Sequence, residues 1–96
     1  MPEIKTEEKV KIFLASFYNV ILHNDDVTTM DFVVEILSDI FDKPLDEAVK
    51  VMLDIHNNGS AVCGTYTQEI ALTKQNQVLT SAKRAGFPLK CTVEKE

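Results

Sequence analysis

The segment Phe17-Tyr18-Asn19-Val20-Ile21-Leu22-His23 runs straight into Asn24-Asp25-Asp26, and this junction limits the possible folds more than any other feature of the chain. Aromatic and β-branched residues predict a strand, and the near-continuous apolarity of Tyr18–His23 predicts an inner one. Asn24-Asp25-Asp26 must then leave the sheet, because Asn and Asp favour turns and disfavour strands. Thr28 or Thr29 offers an N-cap oxygen to a helix that runs to about Asp42. Its rows Phe32/Ile36/Ile40 and Val33/Leu37/Phe41 give it a wide buried face.

Pro44 opens a second helix, with Asp46 and Glu47 in the first turn, where the helix dipole favours acids. Ala48, Met52 and Ile55, flanked by Val49 and Leu53, mark its buried side, and Asn58-Gly59 closes it in a left-handed cap. Ala61–Tyr66 is the second strand. Thr67 caps a third helix from about Gln68 to Ala85, with Ala71, Val78, Ala82 and Ala85 on one stripe. Gly86 ends that helix, and Pro88 prevents its continuation. In the last strand Leu89, Cys91 and Val93 alternate with Lys90, Thr92 and Glu94. The order β-α-α-β-α-β predicts an α/β (α+β) sandwich, a small sheet with helices packed on it. Residues 1–16, mostly Lys and Glu with little apolar content before Val10, read as a flexible extension on a core domain of residues 17–96.

With 96 residues there is room for one domain and a core of its own. Fifteen Asp and Glu against ten Lys and Arg give a net charge of −5, which argues against nucleic acid and against an anionic membrane surface. No apolar run approaches the roughly 20 residues of a membrane span. Met1-Pro2-Glu3-Ile4-Lys5 is not followed by the apolar stretch of a secretory signal. The expectation is a soluble, intracellular protein whose Cys63 and Cys91 are reduced, buried small hydrophobes. Nothing demands more than a monomer.

The residues hold little catalytic equipment. Gly59, Gly64 and Gly86 stand too far apart for a phosphate-binding loop. His23, His56, Cys63 and Cys91 lack the short spacings of a zinc site, so no metal or cofactor is expected. Cys63 sits in a predicted strand without an activating base beside it. One cluster stands out: Asn24-Asp25-Asp26 with Thr28, followed a helix later by His56. Strand-ending Asx residues and a His in a last helical turn account for it in purely structural terms. An acid–base pair of Asp26 and His56 is a second reading, though it lacks a nucleophile, an oxyanion loop and a metal. A third is a grip on an ammonium group, because carboxylate, amide oxygen and neutral imidazole are all acceptors.

Four segments are similar, in order, to motifs of the ClpS family of Clp protease adaptors. They are Asn24-Asp25-Asp26-Val27-Thr28-Thr29-Met30-Asp31-Phe32-Val33-Val34, Val51–Gly59, Val62–Lys74 and Pro88–Lys95. The resemblance runs from about Tyr18 to the C-terminus. It implies a three-stranded antiparallel sheet packed with three helices behind a mobile N-terminal arm. It implies a non-enzymatic adaptor of the bacterial cytoplasm, an N-recognin for proteins beginning with Leu, Phe, Tyr or Trp. These N-degron substrates would be delivered to the unfoldase ClpA, or ClpC, acting with the peptidase ClpP. A related adaptor with a different N-terminal specificity is the alternative.

Carried over residue by residue, the resemblance gives Asn24, Asp26 and His56 the substrate's α-amino group, with Asp25 completing the acidic rim. Thr28, Met30, Val33, Met52, Ile55 and Leu89 would shape the pocket for the first side chain, Met30 as the gate against Ile and Val. Glu69, Thr73 and Lys74, on the exposed start of the third helix, would dock on the unfoldase's N-terminal domain, and the N-terminal arm would engage it during hand-over. Thr29 stands where the family usually has proline, Val27 replaces a common aromatic, Leu72 replaces a common acid, and Lys90 follows the pocket residue Leu89.

Overall fold

A computed structural model describes residues 17–96; the expected extension, 1–16, lies outside the described residues. The elements are β1 (Phe17–His23), α1 (Met30–Asp39), α2 (Leu45–Asn58), β2 (Ser60–Thr67), α3 (Gln68–Ala85) and β3 (Lys90–Lys95). The sheet order is β2-β1-β3 and both pairings are antiparallel. β1 is therefore the central strand, as its apolarity requires. α3 lies against all three strands, α2 packs on β2, and α1 packs on α2. Val20 and Leu22 on β1 are fully buried and meet Leu37 of α1, Ala48 of α2 and Val78 of α3 in one core.

The register of β1 with β2 slips between Val20↔Gly64 and Ile21↔Val62, leaving Cys63 as an extra residue on β2. This β-bulge turns Ala61 and Cys63 inward and leaves Val62 about half exposed. It also sets Ser60 opposite His23. Beyond the bulge, Gly64 makes room for the Tyr66 ring. A Cβ at Gly64 would lie 2.6 Å from two of the ring carbons.

Several expectations change. α1 ends at Asp39, about a turn before Asp42, which takes the left-handed conformation at φ 54°, one that Asp tolerates better than most residues. α1 has no basic residue in its last turn, and the Ile40 carbonyl accepts instead from Lys74 Nζ of α3 at 2.6 Å. On α2 only Ala48 and Ile55 are buried; Val49 and Leu53 are 37% and 44% exposed. They lie about 100° around the helix from Ala48 and Met52, beyond the cover that α1 and β2 supply. Ala85, at the end of α3, is exposed. Thr67 occupies the N-cap position of α3 but its side chain makes no capping bond. Phe32 is half-buried, its ring 4.9 Å from that of Phe87.

Cys63 and Cys91 are free and buried. Burial pushes the thiols up to about 11 and about 12, so both are protonated and inert at neutral pH.

Candidate functional site

The site begins where β1 stops. Gly59 takes the left-handed cap of α2 at φ 91°, its N–H donating to Ile55 O, and its own carbonyl accepts from the Asn24 N–H at 2.8 Å. That bond continues the β1–β2 ladder one step beyond His23↔Ser60. It pins the start of the Asn24–Asp26 turn to the last turn of α2, which carries His56. Residues more than thirty positions apart in sequence are thereby brought together.

The turn is held from within by Asp25. Its Oδ1 accepts from the backbone N–H of Val27 at 2.8 Å and of Thr28 at 2.6 Å, and its Oδ2 accepts from the Thr28 hydroxyl at 2.7 Å. Burial by itself would raise this carboxyl's pKa. The bonds from Thr28 and Val27 outweigh that effect and hold it below the usual aspartate range. Thr29 then caps α1, its Oγ1 accepting from Phe32 N–H at 3.2 Å. Of the two threonines offered by the sequence, Thr29 is the cap and Thr28 belongs to the turn. The entry to α1 is thus fixed by a side-chain cap.

Asn24, Asp25, Asp26, Thr28, Met30, Val33, Met52, Ile55 and His56 line one cavity of about 260 Å³. Nine of the ten candidate binding residues are therefore together. The tenth, Leu89, is a correction: it is 4% exposed, sits in the core and does not line the cavity. The apolar side is graded, with Val33 and Ile55 buried, Met52 half-buried and Met30 45% exposed. On the polar side, the side chains of Asn24, Asp26 and His56 are exposed and make no hydrogen bond or ion pair among the described residues. The volume falls just below the roughly 300–1,000 Å³ of sites for drug-sized ligands, so it suits a single side chain and a small polar head.

The three candidate docking residues lie on α3 and none reaches the cavity. Glu69 and Thr73 are exposed, with the Thr73 hydroxyl donating to Glu69 O at 3.0 Å. Lys74 is half-buried rather than exposed. Its ammonium bonds the Ile40 carbonyl and lies 5.7 Å from the centre of the Tyr66 ring. Its first role is to join α3 to α1. Among the described residues no group of three His, Cys, Asp or Glu is placed to hold a metal ion, and no helix is long and apolar enough to cross a membrane.

The family model for the ATP-dependent Clp protease adaptor protein ClpS matches residues 15–92. The chain belongs to the ClpS family. The ClpS adapter protein of Campylobacter jejuni is 56% identical over 96 residues, the whole of both chains. That of Maricaulis maris is 53% identical over 81 residues, 84% of this chain and 74% of the other. The solved structure of Agrobacterium tumefaciens ClpS2 bound to L-phenylalaninamide superposes with a TM-score of 0.82 at 39% identity, covering 85% of this chain and 99% of that one. The match takes in the ClpS fold as well as the sequence: three antiparallel strands and three helices in the order β-α-α-β-α-β. As a ClpS-family protein the chain is an adaptor of the Clp protease, with a role in protein degradation and with Clp components and polypeptide substrates as its partners.

Proposed function

We propose that this adaptor binds polypeptides by a free α-amino group and a large apolar first side chain, Leu, Phe, Tyr or Trp. It then delivers them to the ClpA- or ClpC-type unfoldase working with ClpP, and carries out no chemistry of its own. The observation that carries this reading is the pairing in one cavity of three unengaged polar side chains, Asn24, Asp26 and His56, with an apolar floor of Val33, Met52 and Ile55. Asp26, the Asn24 amide oxygen and neutral His56 accept from an ammonium, and the floor takes the side chain. The ligand of the Agrobacterium ClpS2 structure, a phenylalanine with its carboxyl amidated, has these two features. Glu69 and Thr73 on α3 remain the surface offered to the unfoldase, with Lys74 at its edge.

Burying a Leu or Phe side chain yields about 1.5–3 kcal/mol, and each bond to the charged amine about 1.5–3 kcal/mol. With three such bonds the gross gain is about 6–12 kcal/mol, and after the roughly 4 kcal/mol or more lost with translational freedom its upper end matches the roughly −8 kcal/mol of a micromolar complex. N-acetylation removes the charge and sets a methyl against Asp26. Fluorescence anisotropy should therefore show saturable binding of a labelled Leu-first peptide and none of its acetylated twin. Equal binding of both would sink the reading.

Met30 opens α1 at the mouth of the cavity. Met30→Ala should widen the mouth and raise the affinity of Ile- and Val-first peptides about tenfold or more relative to Leu-first, since steric rejection exceeds the effect of one methylene. An unchanged ratio in the same assay would remove Met30 as the gate.

A further inference from the structure

Asp25 stands among the expected amine ligands, yet its carboxylate is already engaged. Three of its roughly four acceptor positions are filled by the Val27 N–H, the Thr28 N–H and the Thr28 hydroxyl. We infer that Asp25 is a positioning residue that gathers the turn's three donors and fixes the Thr28 hydroxyl as an acceptor on the cavity wall, so that the wall favours an ammonium. This rests on the amine-binding reading given above.

An ionised carboxylate only accepts, so in the 2.7 Å pair Thr28 Oγ1 must be the donor. A threonine hydroxyl has one proton, and it is committed to Asp25. Oγ1 makes no other hydrogen bond among the described residues, so only its lone pairs remain for a ligand. Thr28 lines the cavity, as do Asn24 and Asp26 on either side of Asp25. Left unpaired, the Thr28 N–H and hydroxyl would set donors against an incoming ammonium. Gathered by Asp25, they leave acceptors there. The Asn24–Gly59 bond and the Thr29 cap hold the two ends of the turn, so its direction does not depend on the ligand.

The test is a double-mutant cycle on the full chain with a Phe-first peptide. In Asp25→Asn the amide oxygen still accepts from Val27 and Thr28 N–H, but its NH₂ cannot accept a hydroxyl. Thr28 must then accept from it and turn its own proton toward the cavity. Affinity should fall roughly tenfold. In a Thr28→Val background, which has no hydroxyl to misdirect, the same change should cost less than about threefold. Equal costs in both backgrounds would make Asp25 a direct ligand and overturn the inference.

A second readout is pH. Wild-type affinity should fall from about pH 7 to about 9.5 as the peptide's α-amino group, ordinarily near 7.7–8.0, deprotonates. The fall should be shallower in Asp25→Asn. Asp26 and His56, the other titratable groups on the cavity, are common to both proteins and cancel in the comparison. Identical slopes would leave Asp25 a purely structural residue. Should Asp25→Asn not fold, Thr28→Val alone is expected to weaken binding severalfold and flatten the pH dependence, and no change in either would overturn the inference. A wild-type chain that does not bind the peptide at all would refute the amine-binding reading itself, and this inference with it.

Discussion

Asp26→Ala is expected to weaken binding of a Phe-first peptide by about 10- to 150-fold, the equivalent of one hydrogen bond to a charged group. Asp26 is exposed, and screening by solvent sets the loss toward the lower end of that range. Because its side chain bonds nothing among the described residues, removing it should leave the melting temperature nearly unchanged, as for other surface substitutions. Asp26→Asn, which keeps an acceptor but loses the charge, should fall between the two. Asp54→Ala is the control, an acid lost from the exposed face of α2 away from the cavity, and should have no effect. Anisotropy on the four proteins decides the matter. Wild-type affinity in Asp26→Ala would mean that another group holds the amine.

Asp26 was legible in the sequence because the turn that carries it is one contiguous run, Asn24 to Met30, between a strand and a helix of opposite hydrophobic period. His56 was legible for a different reason: Met52, Ile55 and His56 share a helical face, and Asn58-Gly59 marks where that helix stops. What the sequence did not carry depends on strand register and on tertiary packing. The bulge at Cys63 has only the faint local signal of Gly64 inside the strand; its register is set only when β2 is laid against β1, and yet it brings Gly59 to Asn24. Lys74 has the composition of a surface residue, and only the tertiary approach of α1 gives its ammonium the Ile40 carbonyl. Leu89 is apolar and near the end of the chain's last loop, which does not distinguish a cavity wall from the core. The division of labour between the two aspartates was likewise hidden. Asp25 and Asp26 are identical side chains one position apart, and only the direction of the turn gives one to the backbone and leaves the other unengaged among the described residues.

Leu22 and Leu53 draw the same distinction for the core. Both are leucines in apolar patterns that predict burial, but Leu22 is fully buried on the central strand and Leu53 is 44% exposed on α2. Leu22→Ala should cost about 2–5 kcal/mol, the transfer term together with the cavity left between β1 and the helices. For a domain of this size that lowers the melting temperature by roughly 8 °C or more. Leu53→Ala should stay within about 0.5 kcal/mol of wild type, because little apolar area returns to water and alanine is at least as good a helix former. Thermal unfolding followed by circular dichroism separates the two. Equal losses would mean that the outer row of α2 is covered after all. The expected asymmetry has a functional side, since Leu22 directly precedes His23 and Asn24, the residues that lead the chain into the site. Where the domain stability lies above the low end of the usual range of roughly 5–15 kcal/mol, the variant stays folded at low temperature. Leu22→Ala should therefore bind peptide normally in the cold and lose binding on warming, in step with its own unfolding.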